Sequence, residues 1–115
     1  MKTVIAGSRT IKDARLLESA IKKSGFKITE VVCGAAKGVD TLGLEWSVRN
    51  KIPFKLFKPD WDTYGKSAGP RRNKQMAVYA DALIALWDGH SRGTKSMIDY
   101  AKKCGLEVFI LKVGL

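Results

Sequence analysis

Ala82 to Trp87 (ALIALW) is an unbroken apolar run set between Asp81 and Asp88. A strand with one wet face alternates apolar and polar residues; a strand buried on both faces does not. The run is too short to span a bilayer or to form a long helix. A doubly buried strand needs a helical layer above and below it, which points to an α/β fold with a mostly parallel sheet. The flanking segments agree. Thr3 to Ala6 (TVIA) reads as a buried strand closed by Gly7-Ser8-Arg9-Thr10. Asp13 to Ser24 places Ala14, Leu17, Ala20 and Ile21 on one stripe and predicts an amphipathic helix stopped by Gly25. Ile28 to Cys33 predicts the second strand, and Gly34 to Asp40 the turn after it.

The segment up to about Asn50 reads as a helix capped by Asp40 and Thr41, although Leu42, Leu44, Trp46 and Val48 alternate in a way that also suits a strand. Phe54 to Phe57 predicts the third strand. Lys58 to Gly69 (KPDWDTYGKSAG) shows no periodicity and reads as a long irregular connection. Pro70 to Tyr79 predicts a helix with proline in its first turn. Thr94 to Cys104, with Met97, Ile98 and Ala101 inward, predicts the last helix, and Val108 to Leu111 the last strand. The order β-α-β-α-β-loop-α-β-α-β implies right-handed crossovers, with ligands at the carboxyl ends of the strands. The chain of 115 residues is expected to be a single domain, 1–115, around one core.

A net charge of +10 predicts an anionic partner or substrate, small or polymeric. The start of the chain, MKTVIAGSRT, lacks a long apolar stretch, so a cytoplasmic protein without signal peptide or membrane span is expected. Cys33 and Cys104 fit no metal spacing, there is no His/Cys cluster, and neither metal nor cofactor is expected.

The loops at the strand ends carry the candidate chemistry. Gly7, Ser8 and Arg9 follow the first strand. Gly34 and Gly38 flank a turn bearing Lys37, where small residues suit either close ligand approach or tight helix packing. This turn matches neither a dinucleotide fingerprint nor a P-loop. Trp87, Asp88, Gly89, Ser91, Arg92, Gly93 and Thr94 lead into a helix start, where amides, hydroxyls and the positive dipole end favour a phosphate. Arg71, Arg72 and Asn73 open another helix, where positive charge opposes the dipole and a role toward an anion gains weight. Trp61 is an aromatic beside these loops, available for stacking on a base or as an anchor. Asp40 and Asp88 suit ribose hydroxyls; His90 reads as a solvent-facing loop residue.

These motifs resemble known proteins. Gly34 to Asp40 (GAAKGVD) resembles the GxAxG(I/V)D turn of the Smf/DprA DNA-processing proteins. Arg72 to Met76 (RNKQM), Ala80 to Leu86 (ADALIAL) and Gly93-Thr94 resemble the RKxxM…ADAFIALPGGxGT run of the Lonely Guy phosphoribohydrolases. Both belong to the SLOG superfamily. The whole chain is similar to a small single-domain bacterial and phage branch with ADW…YGKxAGPRRNxxM and DGxSxGT, here Asp60-Trp61 (after Pro59 in place of alanine), Tyr64 to Lys66, Ala68 to Asn73 with Met76, and Asp88 to Thr94.

The resemblance implies a Rossmann-like three-layer fold with a five-stranded sheet, a homo-oligomer, and a nucleotide or ADP-ribose-like ligand at the strand ends. Arg72 is the counterpart of the Lonely Guy arginine. Three departures bear on activity: that family's PGG is Trp87-Asp88-Gly89, two extra residues precede Gly93-Thr94, and the glutamate after GTxx falls on Met97. A thioether cannot act as acid, base or cation stabiliser, and Asp99 points elsewhere at helical spacing. Ligand binding, as a signal sensor or sponge, is therefore the leading expectation. N-glycosidic cleavage by an aspartate and binding of single-stranded nucleic acid are the alternatives.

Overall fold

The computed structural model describes residues 1–34 and 38–114. Its elements run β1 (Lys2–Gly7), α1 (Ala14–Ser24), β2 (Glu30–Cys33), α2 (Val39–Arg49), β3 (Phe54–Leu56), α3 (Trp61–Tyr64), a 3-10 turn (Gly65–Ser67), α4 (Ala68–Tyr79), β4 (Ala82–Trp87), α5 (Arg92–Lys103) and β5 (Glu107–Lys112). The five strands form one sheet in the order β3-β2-β1-β4-β5, and every pair is parallel. The Rossmann-like α/β expectation holds.

The apolar run behaves as its composition demands. Ala82 to Leu86 are buried, hydrogen-bonded to β1 on one side and β5 on the other. Alternate residues serve opposite faces. Leu83 and Ala85 join Val4, Val32, Met76 and Met97 on one face; Ile84 and Leu86 join Ile5, Val31, Leu17 and Trp46 on the other. At about 25 cal/mol per Å2 of apolar surface, each such aliphatic side chain contributes about 2 kcal/mol.

Three sequence expectations are corrected. Lys58 to Gly69 is mostly ordered helix: Asp60 accepts from the Thr63 amide at 3.2 Å and starts α3, the 3-10 turn follows, and α4 already begins at Ala68. Four-residue helices present no repeating stripe, so periodicity cannot reveal them. Gly38, at φ 78°, and not Asp40 or Thr41, holds the N-cap position of α2. The last helix starts two residues before Thr94, with Ser91 as its N-cap. The alternation in α2 also finds its cause. Leu42 and Trp46 pack inward, whereas Leu44 is half-buried and Val48 exposed.

Candidate functional site

β1 lies between β2 and β4, and the chain leaves β1 toward one side of the sheet and β4 toward the other. Crossovers that diverge in this way open a crevice at the carboxyl ends of the two strands. A cleft of about 390 Å3 occupies this place. Its walls come from Ser8, Arg9 and Thr10 after β1, Asp40 of α2, Arg72 and Asn73 of α4, and Asp88, Ser91, Gly93 and Thr94 around the start of α5. Ala6, Met76 and Met97 form an apolar floor.

The loop between β4 and α5 is held by its own hydrogen bonds. Asp88 Oδ1 accepts the amides of His90 and Ser91, both at 2.8 Å, which holds its carboxyl below the usual carboxylate range. Ser8 Oγ accepts the Asp88 amide at 3.2 Å and ties this loop to the one after β1. Trp87 Nε1 donates to the Ser91 carbonyl at 3.1 Å. Ser91 Oγ accepts the Thr94 amide at 3.4 Å and shares a hydrogen bond with Thr94 Oγ1 at 3.0 Å. The first intrahelical bond of α5 runs from the Lys95 amide to the Ser91 carbonyl. The amides of Arg92 and Gly93 precede it and have no intrahelical acceptor, so they carry the positive end of α5. A Cβ on Gly93 would meet open space, so close packing does not require glycine there.

Arg72 crosses the cleft from α4. Its Nη1 donates to the Gly34 carbonyl and its Nε to Asn73 Oδ1 at 3.0 Å. Buried Asn73 donates onward to the Gly93 carbonyl and to Ser96 Oγ, each at 3.3 Å. One chain of hydrogen bonds thus joins the residue after β2 to α4 and α5. Burial lowers the pKa of Arg72, and the nearby negative charge of Asp40 opposes that shift. Asp40 is itself buried and accepts the Gly34 amide at 3.2 Å. Burial pushes the Cys33 thiol, at the end of β2, up to about 12, with Asp40 adding to the shift. Cys33 is therefore a packed hydrophobe rather than a nucleophile.

The cleft gathers Gly7, Ser8, Arg9, Asp40, Arg72, Asn73, Asp88, Ser91, Gly93 and Thr94 from the sequence candidates. Others support it from outside. Gly34 underlies Arg72, and a Cβ on Gly38 would stand 2.7 Å from the Arg9 carbonyl, so glycine lets the two loops meet. Trp87 anchors the β4–α5 loop, and Gly89 turns it at φ 86°. Three candidates lie elsewhere: Arg71 stacks 4.2 Å over Tyr64 on the outer side of α4, Trp61 is exposed, and Arg92 is exposed without lining the cleft. Lys37 falls outside the described residues. Ala6, Thr10, Met76 and Met97 line the cleft without having been singled out as ligand-binding residues. Met76 sits four residues after Arg72, one turn along the same helix face, and that spacing, together with its place in the RNKQM motif, was the available signal.

Comparison with known proteins follows the same lines. The sequence model of YAcAr, described as the YspA, cpYpsA-related SLOG family, matches residues 1–64. The Gene 61 protein of Mycobacterium phage D29 is 32% identical over 117 residues, covering 93% of each chain. Among solved structures, DNA processing protein A (DprA) from Streptococcus pneumoniae superposes with a TM-score of 0.75 at 21% identity. That match covers 95% of this chain and 49% of DprA, so the chain spans about half the length of that protein and shares its fold.

Proposed function

The chain belongs to the YspA, cpYpsA-related SLOG family, and from that premise we propose that its cleft binds a nucleotide or a nucleotide-derived, ADP-ribose-like molecule. One observation carries this reading: the crevice at the point where the strand order diverges joins two arginines, Arg9 and Arg72, to the positive end of α5. A phosphate fits between Arg9, Arg72 and the first-turn amides of α5. Asp40 and Asp88 are acceptors for ribose hydroxyls, and Met76 and Met97 offer polarizable apolar surface to a base. The volume falls within the range of small-molecule sites.

The floor argues against phosphoribohydrolase chemistry by the Lonely Guy route. Met97, at the glutamate position, is 1% exposed. Asp99 pairs with Lys95 at 3.0 Å on the solvent side of α5. On this reading the cleft holds its ligand as a sensor or sponge would.

A thermal-shift panel of nucleoside mono- and diphosphates and ADP-ribose tests this. A ligand at 100 times its Kd adds about 2.7 kcal/mol, which raises the melting temperature of a domain this size by several degrees. The expected result is stabilisation by one class of compound, recovered intact by chromatography, and its loss in Arg72→Met. No shift with any compound would overturn the reading. Release of free base would move it to N-glycosidic cleavage.

A further inference from the structure

Among the buried residues of α4, Ala68, Met76 and Ala77 are apolar and Asn73 is not. Asn73 is 5% exposed. Asparagine is a poor helix former, and burying an amide costs stability unless it is hydrogen-bonded. An apolar side chain would serve packing alone better. The partners of Asn73 explain why an amide stands there instead. Its Oδ1 accepts from Arg72 Nε at 3.0 Å, and its Nδ2 donates to the Gly93 carbonyl and to Ser96 Oγ, each at 3.3 Å. A guanidinium can only donate and a carbonyl can only accept, so the two ends of this amide cannot be exchanged. Both Nδ2 hydrogens are spent on the protein, and none remains for a ligand.

The two groups that Asn73 joins are the two that face an anion in the cleft. Gly93 is the second residue of α5, and its amide is one of the pair at the positive end of that helix. Arg72 is held at two points, Nε by Asn73 and Nη1 by the Gly34 carbonyl. Two tethers fix the plane of a guanidinium and the directions of its other N–H groups. An untethered arginine would sample many rotamers, and ordering it on binding would cost affinity.

We propose that Asn73 is the positioning residue of the cleft: without touching the ligand, its amide holds the Arg72 guanidinium and the start of α5 in one fixed relation, so that both grip the same phosphate. This role rests on the nucleotide reading of the cleft and adds how the phosphate seat is set before a ligand arrives. Charge-assisted hydrogen bonds depend steeply on geometry, so loosening this brace weakens the grip even though Arg72 and the α5 amides are all still present.

NMR titration of the full chain tests the role, with AMP, GMP, CMP, UMP and ADP-ribose as probes. Asn73→Ala is expected to weaken binding of the probe that wild type takes by at least about fivefold. Arg72→Lys keeps the charge but has no Nε to donate to Asn73. In that background Asn73→Ala should cost less than about twofold further, because the relation it maintains is already broken. A general loosening of α4 against α5 would weaken binding equally in both backgrounds. Binding of no probe to wild type overturns the nucleotide reading and this role with it. Wild-type binding that Asn73→Ala weakens by less than about fivefold, or by as much in the Arg72→Lys background, overturns the role alone. Circular dichroism checks the fold of each variant. If Asn73→Ala is unfolded, Asn73→Ser, which keeps a hydroxyl in the buried site, is held to the same limits.

Discussion

Arg72 reaches the cleft only because residue 34 has no side chain. A Cβ at Gly34 would lie 2.5 Å from Arg72 Nη1, the far end of a flexible side chain. Gly34→Ala is therefore expected to fold with little change in melting temperature, while Arg72 swings off the Gly34 carbonyl and nucleotide-induced stabilisation falls. Gly7 gives the contrast. Its Cβ would press on the Leu86 backbone carbonyl and lie 2.7 Å from Val39 Cγ2. Backbone cannot swing aside, so Gly7→Ala should cost about 2–3 kcal/mol in chemical denaturation. Met97 allows a test by pH. A glutamate in place of this buried residue would prefer to stay neutral, so its folded pKa would rise above the unfolded value of about 4.3. Below that value both states are protonated and no charge is buried. As pH rises the unfolded state ionises first, and stability drains away. Met97→Glu should match Met97→Gln near pH 4 and fall behind it by about 2–3 kcal/mol at pH 8, measured by urea titration.

At the scale of the element, the start of α5 is the most heavily tied part of the site. Ser91→Ala removes the cap on the Thr94 amide and should cost about 1 kcal/mol. Asp88 has its pKa lowered by the His90 and Ser91 amides. Its contribution is thus present above the unfolded carboxylate value of about 3.9 and lost as pH falls through the lower folded value. The stability gap between wild type and Asp88→Asn should be full at pH 6 and close below about pH 4. These turns were legible from sequence because strand-to-helix loops rich in Gly, Ser and Asp carry their chemistry locally. The strands and long helices were legible for a related reason: burial imprints a period on them, as in Leu17, Ala20 and Ile21 of α1. α3 escaped because Trp61 to Tyr64 has no buried residue to mark a face. Arg71 and Arg72 looked equivalent in sequence. One step around a helix turns a side chain by about 100°, and only the packing of α4 decides that Arg72 faces the cleft and Arg71 faces Tyr64.

For the whole molecule, 21 Lys and Arg against 11 Asp and Glu make a polycation that will attract any polyanion. That attraction and the cleft are separable, because they draw on different residues. Binding of single-stranded nucleic acid by charge releases counterions, and the affinity falls with salt at a slope of about −0.7 per phosphate neutralised. Lysines spread over exposed helix surfaces, such as Lys22, Lys23, Lys102 and Lys103, would supply that term. Arg72 is one half-buried cation tied to Gly34 and Asn73, and it adds little to a diffuse field. Arg72→Met should therefore abolish nucleotide stabilisation while changing oligonucleotide affinity by less than about twofold and leaving its salt slope within about one unit. Fluorescence anisotropy across a salt series measures both quantities. A loss of about tenfold or more in oligonucleotide affinity, with a shallower slope, would mean that the strand itself enters the cleft. The cleft would then be a reader of nucleic acid, and the mononucleotide a fragment of its true ligand.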